Sequence, residues 1–163
     1  MARGLHVEPG MGNARLRSAA GYTAVELLFV MVVLGILLAI TFIKAGPALE
    51  RARVRGAAGV LATDLQYAQA LAARYRTPMV FTVDEAQKTY QIADRGGTNV
   101  YRQRNFGTGG EYVLDQFTAT PATVEVLPNA VVAQSATYTL GLDGFRRRVT
   151  FSRAGQIRVA TIP

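Results

Sequence analysis

An apolar run from residue 22 to residue 43 constrains the fold of this chain more than any other sequence feature. Its polar residues are Thr23, Glu26 and Thr41, and Glu26 is its only formal charge. At a rise of about 1.5 Å per residue, the run makes a helix of about 33 Å, which is long enough to cross the hydrocarbon core of a bilayer. A carboxylate in hydrocarbon costs about 2.5 kcal/mol or more, so Glu26 indicates a functional role with a partner of opposite charge.

The residues at the start of this run form a recognisable motif. Gly21 is followed by the aromatic Tyr22, and Glu26 stands four positions further on. A leader with three arginines (Arg3, Arg15 and Arg17) precedes them. This arrangement resembles the processing site of type IV pilins and pseudopilins, in which Phe is commoner than Tyr after the glycine. The resemblance implies cleavage after Gly21 by a prepilin peptidase on the cytoplasmic side of the membrane, and N-methylation of the new amino terminus at Tyr22.

Two roles for Glu26 follow from its position. In the first, Glu26 pairs with the charged α-amine of Tyr22 on a neighbouring subunit when helices pack into a filament, so that each charge compensates the other where water is scarce. In the second, Glu26 is an interfacial residue of an ordinary signal anchor whose carboxylate reaches the lipid headgroups. The motif around Gly21 and Tyr22 favours filament assembly.

The charges that flank the run do not fix its orientation. Three arginines precede it, whereas Lys44, Arg51, Arg53 and Arg55 follow it, so the excess of positive residues does not lie on the amino-terminal side. The resemblance to pilins implies a single-pass inner-membrane protein with a cytoplasmic amino terminus and a periplasmic carboxyl-terminal domain.

Composition excludes most catalytic chemistry. The chain has no cysteine, and its single histidine is His6, within the predicted leader. A disulfide framework, a metal–thiolate site and a cysteine nucleophile are excluded, and a mature chain without histidine cannot form a Ser-His-Asp triad or a histidine-ligated metal site. We therefore expect no enzyme activity, no metal, no cofactor and no small-molecule substrate.

A second helical stretch is predicted from about Ala48 to Tyr75. Its apolar positions recur every three or four residues, at Leu61, Leu65, Ala68, Ala72 and Tyr75, which is typical of one buried helix face. Gly46-Pro47 is expected to bend or loosen the helix before this stretch. Thr77-Pro78 is expected to end it, because the residue before proline avoids the helical region.

From Met79 onward the pattern changes to short strands separated by turn residues. The predicted strands are Met79–Val83, Thr89–Ala93, Glu111–Phe117, Thr123–Leu127, Ala136–Leu140, Val149–Ser152 and Gln156–Thr161. The predicted fold class is α+β, with a long N-terminal helix packed on a small antiparallel β-sheet domain. The predicted segments are a leader at 1–21, a membrane and assembly helix at 22–43, an amphipathic helix at 44–76 and a sheet domain at 77–163.

Two later segments narrow the resemblance. Residues 61–81 (LATDLQYAQALAARYRTPMVF) resemble the helix-to-strand passage of the GspH/FimT group of minor pseudopilins, and residues 149–158 (VTFSRAGQIR) resemble the closing hairpin of that group. The resemblance implies a structural subunit at or near the tip of a type II secretion pseudopilus, with other pseudopilins as partners. The alternative within the same group is a minor pilin of a type IV pilus.

A cluster of arginines near the carboxyl terminus is the remaining candidate site. Its members are Arg146, Arg147, Arg148, Arg153 and Arg158, with no acidic residue among them. Strand alternation places Arg146 and Arg148 on one face and Arg147 on the other. In one interpretation the cluster binds DNA phosphates. In the other, the arginines are solvated or face a partner protein on a hairpin, which is the commoner role of a run of charged residues. In the FimT branch DNA capture is attributed to a Gly-Arg-x-Arg motif, but here Gln156 replaces its first arginine.

Two weaker patterns are interpreted as loops. The glycines at 107, 109 and 110 are not followed by the Gly-Lys-Ser/Thr of a phosphate-binding loop. Asp84 and Glu85 are adjacent after a predicted strand, which is typical of a turn rather than of a metal or acid–base pair. Tyr67 and Tyr75 are expected to pack between the helix and the sheet.

Overall fold

The computed structural model describes residues 22–162. The chain divides into two compact units, residues 1–41 and residues 42–163. Among the described residues, the first unit contains the start of a long helix, and the second contains the rest of that helix together with eight strands.

One helix, α1, runs from Ala24 to Tyr75. It continues through Pro47, so the two predicted helical stretches belong to one helix. Proline removes only one backbone donor, and the good helix formers Ala48, Leu49 and Glu50 follow it. The predicted end is correct to within two residues: Arg76 adopts a left-handed conformation with φ of +54°, and the chain then enters Thr77-Pro78.

The predicted antiparallel sheet domain is confirmed, but its strands form two sheets. The strands are β1 (Met79–Asp84), β2 (Thr89–Asp94), β3 (Val100–Asn105), β4 (Gln116–Thr120), β5 (Thr123–Val126), β6 (Ala136–Leu142), β7 (Phe145–Phe151) and β8 (Ile157–Ile162). Sheet 1 has the order β3-β2-β1-β5, and sheet 2 has the order β4-β6-β7-β8. All pairings are antiparallel.

The strand prediction needs correction at three places in the sequence. Strand β3 was not predicted, because its sequence VYRQRN carries charges where a half-buried strand usually carries apolar residues. The predicted strand at 111–117 is largely a loop, and β4 begins only at Gln116. Strand β7 begins at Phe145 instead of Val149, so it contains Arg146, Arg147 and Arg148.

The core of the second unit lies between α1 and the two sheets. The helix contributes small and aliphatic residues, among them Ala58, Leu61, Leu65 and Ala68, all fully buried. Both sheets contribute aromatic residues to the same cluster: Phe81 and Tyr90 from sheet 1, and Phe117, Tyr138 and Phe151 from sheet 2. Tyr75, which was expected on this buried face, is 47% exposed, and its ring lies beside that of Tyr101 with 5.4 Å between ring centroids.

Candidate functional site

The start of α1 is a capped helix N-terminus. Thr23 precedes the first helical residue, and its Oγ1 accepts a hydrogen bond from the backbone N–H of Glu26 at 3.2 Å. Thr23 also accepts a backbone hydrogen bond from Leu27 at 3.1 Å through its carbonyl oxygen. Thr-x-x-Glu is the capping-box pattern, and a carboxylate in the first turn interacts favourably with the helix dipole. Glu26 thus has a local role that sequence analysis did not consider.

The side chains around Glu26 are exposed. Tyr22 is 82% exposed, and every residue from 22 to 41 is exposed. An 18-residue window of α1 has a mean hydropathy of 2.8, with none of it buried. A continuous apolar surface of this size indicates a membrane or protein interface. Gly21, the other predicted processing residue, lies outside the described residues.

Strand β7 divides the arginine cluster between two faces. Arg146 and Arg148 are exposed, whereas Arg147 is half-buried on the side that also carries the core residues Val149 and Phe151. This is the alternation expected of a strand with one face on the core.

Strand β8 adds one more arginine to the exposed face of β7. Arg158 pairs with Thr150, and Arg148 pairs with Ala160 two positions along the ladder. The guanidinium groups of Arg148 and Arg158 therefore start from diagonal positions on neighbouring strands, within reach of one ligand. Arg153 is not in this group, since it lies in the β7–β8 turn, where its backbone N–H donates to Ser135 Oγ at 3.2 Å.

That turn is attached to the helix through Gln69 and Gly155. Gln69 Nε2 donates to the carbonyl oxygens of Gly155 at 2.9 Å and Ala130 at 3.3 Å. Gly155 has a φ of +77°, and a Cβ on it would lie 2.4 Å from the Ala130 oxygen. Only glycine fits there, so this glycine of the predicted motif has a structural reason to be present.

The structure brings the two β7 residues Arg146 and Arg147 together with α1 in a way that the sequence analysis missed. A groove of about 460 Å³ is lined by Arg51, Val54, Arg55, Gly144, Phe145, Arg146, Arg147, Thr161 and Ile162. We call it the arginine groove. The guanidinium carbon of Arg51 lies 4.4 Å from the centroid of the Phe145 ring, a cation–π geometry. The i, i+4 spacing of Arg51 and Arg55, which puts both on one helix face, was the available signal.

A second unforeseen cluster surrounds Asp64, the only charged residue found buried among those described. Its carboxylate accepts hydrogen bonds from Arg102 at 2.5 Å, from Arg104 at 2.7 Å and from the hydroxyl of Tyr90 at 2.7 Å. Arg102 also lies 4.4 Å from the ring centroid of Tyr67. The signal in the sequence was an acid at 64, on the same face as Leu61, Leu65 and Ala68.

The Asp64 cluster is structural in character. Burial, with a further contribution from the hydrogen bond to Asp64, raises the pKa of Tyr90 far above its ordinary value, so its hydroxyl stays protonated and remains a donor. The hydrogen bond to Asp64 likewise raises the pKa of Arg104. Three donors occupy most of the acceptor positions of this carboxylate, and Asp64 is fully buried, so the group is not exposed to a substrate in solution.

The weaker candidates are turns, as expected. Residues 107–110 form a loop in which Asn105 Oδ1 accepts from the backbone N–H of Gly107 at 2.6 Å. Asp84 accepts from the backbone N–H of Gln87 at 3.0 Å in the β1–β2 turn. Within residues 22–162, no group of His, Cys, Asp and Glu side chains is arranged to hold a metal ion.

Comparisons with solved structures show the fold. The minor pilin FimU of Pseudomonas aeruginosa, described as a type IV minor pilin, matches with a TM-score of 0.57 and 20% identity, covering 68% of this chain and 90% of that chain. The minor pseudopilin EpsH from the type 2 secretion system of Vibrio cholerae matches with a TM-score of 0.51 and 13% identity, covering 67% of this chain and 97% of that chain. No curated protein sequence matches the chain.

A family model settles the relationship at the sequence level. The model described as "Type II transport protein GspH" matches residues 57–155, which is more than half of the chain. This range includes the buried face of α1 and the hairpin turn that Gln69 holds. The family is structural and pilin-like rather than enzymatic, and its members assemble with other pilins or pseudopilins. The chain belongs to the GspH family, the minor pseudopilins and minor pilins of type II secretion systems and type IV pili.

Proposed function

We propose that this chain is a minor pseudopilin, a structural subunit at or near the tip of a type II secretion pseudopilus that supports protein secretion across the outer membrane. The observation that carries the proposal is the first unit: an apolar, exposed helix that Thr23 caps and that holds Glu26 in its first turn. A helix with this surface requires lipid or other apolar helices around it. Membership of the GspH family supplies the subunit role.

In this proposal the chain is made as a precursor. Prepilin peptidase cleaves after Gly21 and removes the leader at 1–21, and the amine of Tyr22 is then N-methylated. Residues 22–43 cross the inner membrane with the amino terminus on the cytoplasmic side, and the helix at 44–76 and the sheet domain at 77–163 lie in the periplasm. The match of Gly21, Tyr22 and Glu26 to the pilin motif supports these steps.

Glu26 then guides assembly by pairing with the amine of Tyr22 on a neighbouring subunit. Its side chain is exposed, and no cationic side chain within residues 22–162 forms an ion pair with it. In a low-dielectric surrounding a close pair of opposite charges is strongly favoured over either charge alone. Methylation of the amine would preserve its positive charge.

Deletion of the gene tests the proposal. The secreted proteins of the culture medium, the surface pili and the uptake of DNA are compared between the parent strain, the deletion strain and a strain complemented with the intact gene. We expect loss of secretion with pili unaffected. Intact secretion with loss of pili would make the chain a type IV minor pilin, and no change in either process would contradict a role in a filament.

A specific observation favours DNA binding as a second candidate function, in the setting of a type IV pilus. Arg146, Arg148 and Arg158 lie on one exposed face of sheet 2. Threonines of β6 and β7 lie beside them on the same face: Thr137, Thr139 and Thr150. A flat basic surface of this kind can contact a phosphate backbone. Gln156 still stands where the DNA-binding motif has arginine.

Filter binding with the full chain in detergent tests this second function. If the face binds DNA, the affinity should fall steeply with salt, and replacing Arg146, Arg148 and Arg158 with Gln should weaken binding and flatten the salt dependence. Binding that the triple replacement leaves unchanged would remove the candidate.

A further inference from the structure

The arginine groove combines positive charge with an apolar surface. Four of its nine lining residues are arginines and none is acidic. Val54, Phe145 and Ile162 supply its apolar part. A site of this composition fits a ligand that is both anionic and apolar, because neither water nor an inorganic ion satisfies both kinds of surface.

The charges of the groove are not neutralised within the described part of the chain. Arg102 and Arg104 of β3 pair with Asp64, and Arg95 pairs with Glu125. By contrast, no carboxylate among residues 22–162 lies within ion-pair distance of Arg51, Arg55, Arg146 or Arg147. Asp115 and Asp143 line a neighbouring cleft, which shares Gly144 and Arg146 with the groove. An unneutralised cluster of this density attracts an external anion.

The helix places the groove close to the end of the predicted membrane span. Ile43 and Arg51 belong to the same unit and the same helix, and eight residues correspond to a rise of about 12 Å. Headgroups occupy about 5–7 Å on each side of the hydrocarbon core, and arginine side chains are long. Anionic headgroups therefore lie within reach of Arg51 and Arg55 if residues 22–43 cross the membrane.

We propose that the arginine groove binds the phosphate and upper acyl chains of an anionic phospholipid. Arg51 and Arg55 of α1 and Arg147, on the core side of β7, bind the phosphate, and the methylene groups next to the glycerol contact Val54, Phe145 and Ile162. This inference rests on the membrane anchor proposed above. It adds a lipid-binding site on the folded domain, which ties that domain to the bilayer before the subunit is assembled.

The absence of tryptophan from the chain allows a direct test. Phe145→Trp places one fluorophore in the groove and keeps an aromatic ring beside Arg51. The full-length variant is reconstituted into two kinds of phosphatidylcholine bilayer. One contains a fraction of phosphatidylglycerol with bromine on the upper acyl chain, and the other contains the same fraction of phosphatidylcholine brominated at the same position. We expect brominated phosphatidylglycerol to quench Trp fluorescence at least twofold more than brominated phosphatidylcholine.

A matched pair of variants separates the groove from general attraction of charge. In the Phe145→Trp background, Arg51→Gln/Arg55→Gln should abolish the preference for phosphatidylglycerol. Arg53→Gln/Arg74→Gln removes the same charge from exposed positions of the same helix outside the groove and should retain it. Soluble glycerophosphate at the same phosphate concentration should compete poorly, because it lacks acyl chains.

Several results would overturn the proposal. These are equal quenching by the two lipids, equal loss in the two double variants, full competition by glycerophosphate, or full displacement by an oligonucleotide. Failure of the chain to insert into either bilayer would instead contradict the membrane anchor. Insertion without a groove-dependent preference would contradict only the lipid site.

Discussion

Single residues explain where interpretation of the sequence succeeded and where it failed. The apolar spacing of Leu61, Leu65, Ala68 and Ala72 correctly predicted a buried helix face. That spacing did not predict that Asp64 is buried on the same face. Its burial depends on ion pairs with Arg102 and Arg104, which lie about 40 residues further along the chain. A carboxylate is buried only where hydrogen-bond donors surround it. The local sequence around Asp64 does not predict donors that lie on a distant strand.

Replacing Asp64 should therefore destabilise the domain strongly. Asp64→Asn loses the charge that Arg102, Arg104 and the Tyr90 hydroxyl all donate to, and we expect unfolding to become easier by about 3 kcal/mol. Tyr90→Phe removes one donor of three and should cost about 1 kcal/mol. Thermal unfolding of the full chain in detergent, followed by the near-ultraviolet circular dichroism of its tyrosines, measures both.

Glu111→Gln is the matched control for that series. Glu111 contacts Arg104 from the solvent side at 3.6 Å and is 65% exposed. Its replacement should change stability by less than about 0.5 kcal/mol. An Asp64→Asn protein as stable as the Glu111→Gln protein would show that the buried cluster contributes little.

The proposed pairing of Glu26 with a neighbouring subunit can be separated by mutation from its place in the capping-box pattern of its own helix. Gln is accepted in a capping box, but it carries no charge. If the charge guides assembly, Glu26→Gln and Glu26→Ala should both insert into the membrane and both be absent from sheared filaments. If only capping matters, Glu26→Gln should assemble normally. Immunoblots of membrane and filament fractions distinguish these outcomes, with Glu50→Ala as a control on the same helix outside the span.

At the scale of elements, most strands of the sheet domain were predictable, and the errors at β3 and at residues 111–115 have different causes. Strand β3 has the sequence VYRQRN, in which the inward-facing positions carry arginines that reach the helix. Both faces of the strand are therefore polar, and the usual alternation of apolar and polar residues is missing. Residues 111–115 show the opposite case: Tyr112 and Leu114 alternate as in a strand, yet Leu114 donates its backbone N–H to Phe106 in a loop. Alternation predicts which side chains are buried, and a packed loop buries them as well as a strand does.

The β7–β8 hairpin turn should be sensitive to any side chain at Gly155. Gly155→Ala adds a left-handed alanine, which costs about 1 kcal/mol, and a Cβ that meets the Ala130 oxygen and Gln69. Gly144 also has a positive φ, of +84°, but open space around it. Gly155→Ala should therefore destabilise the domain by at least about 1 kcal/mol more than Gly144→Ala. Equal melting temperatures for the two variants would contradict the role assigned to this contact.

At the scale of the whole molecule, the fold class and the family were predictable because they depend on patterns that extend over many residues. The apolar run, the helix face and the closing hairpin each occupy ten or more positions in the sequence. The division into two sheets and the arginine groove were not predictable, since both depend on which distant strands meet. The groove joins Arg51 on α1 to Arg147 on β7, nearly a hundred residues apart.

The amino terminus of the mature chain gives the most direct test of the proposed precursor and filament subunit. Mass spectrometry of the amino-terminal peptide, from protein purified out of membrane and sheared-filament fractions, identifies both the cleavage site and any methyl group. We predict that the chain begins at Tyr22, that this residue is N-methylated, and that residues 1–21 are absent. A chain that retains its leader, or that is cut within or after the apolar run, would contradict the proposal.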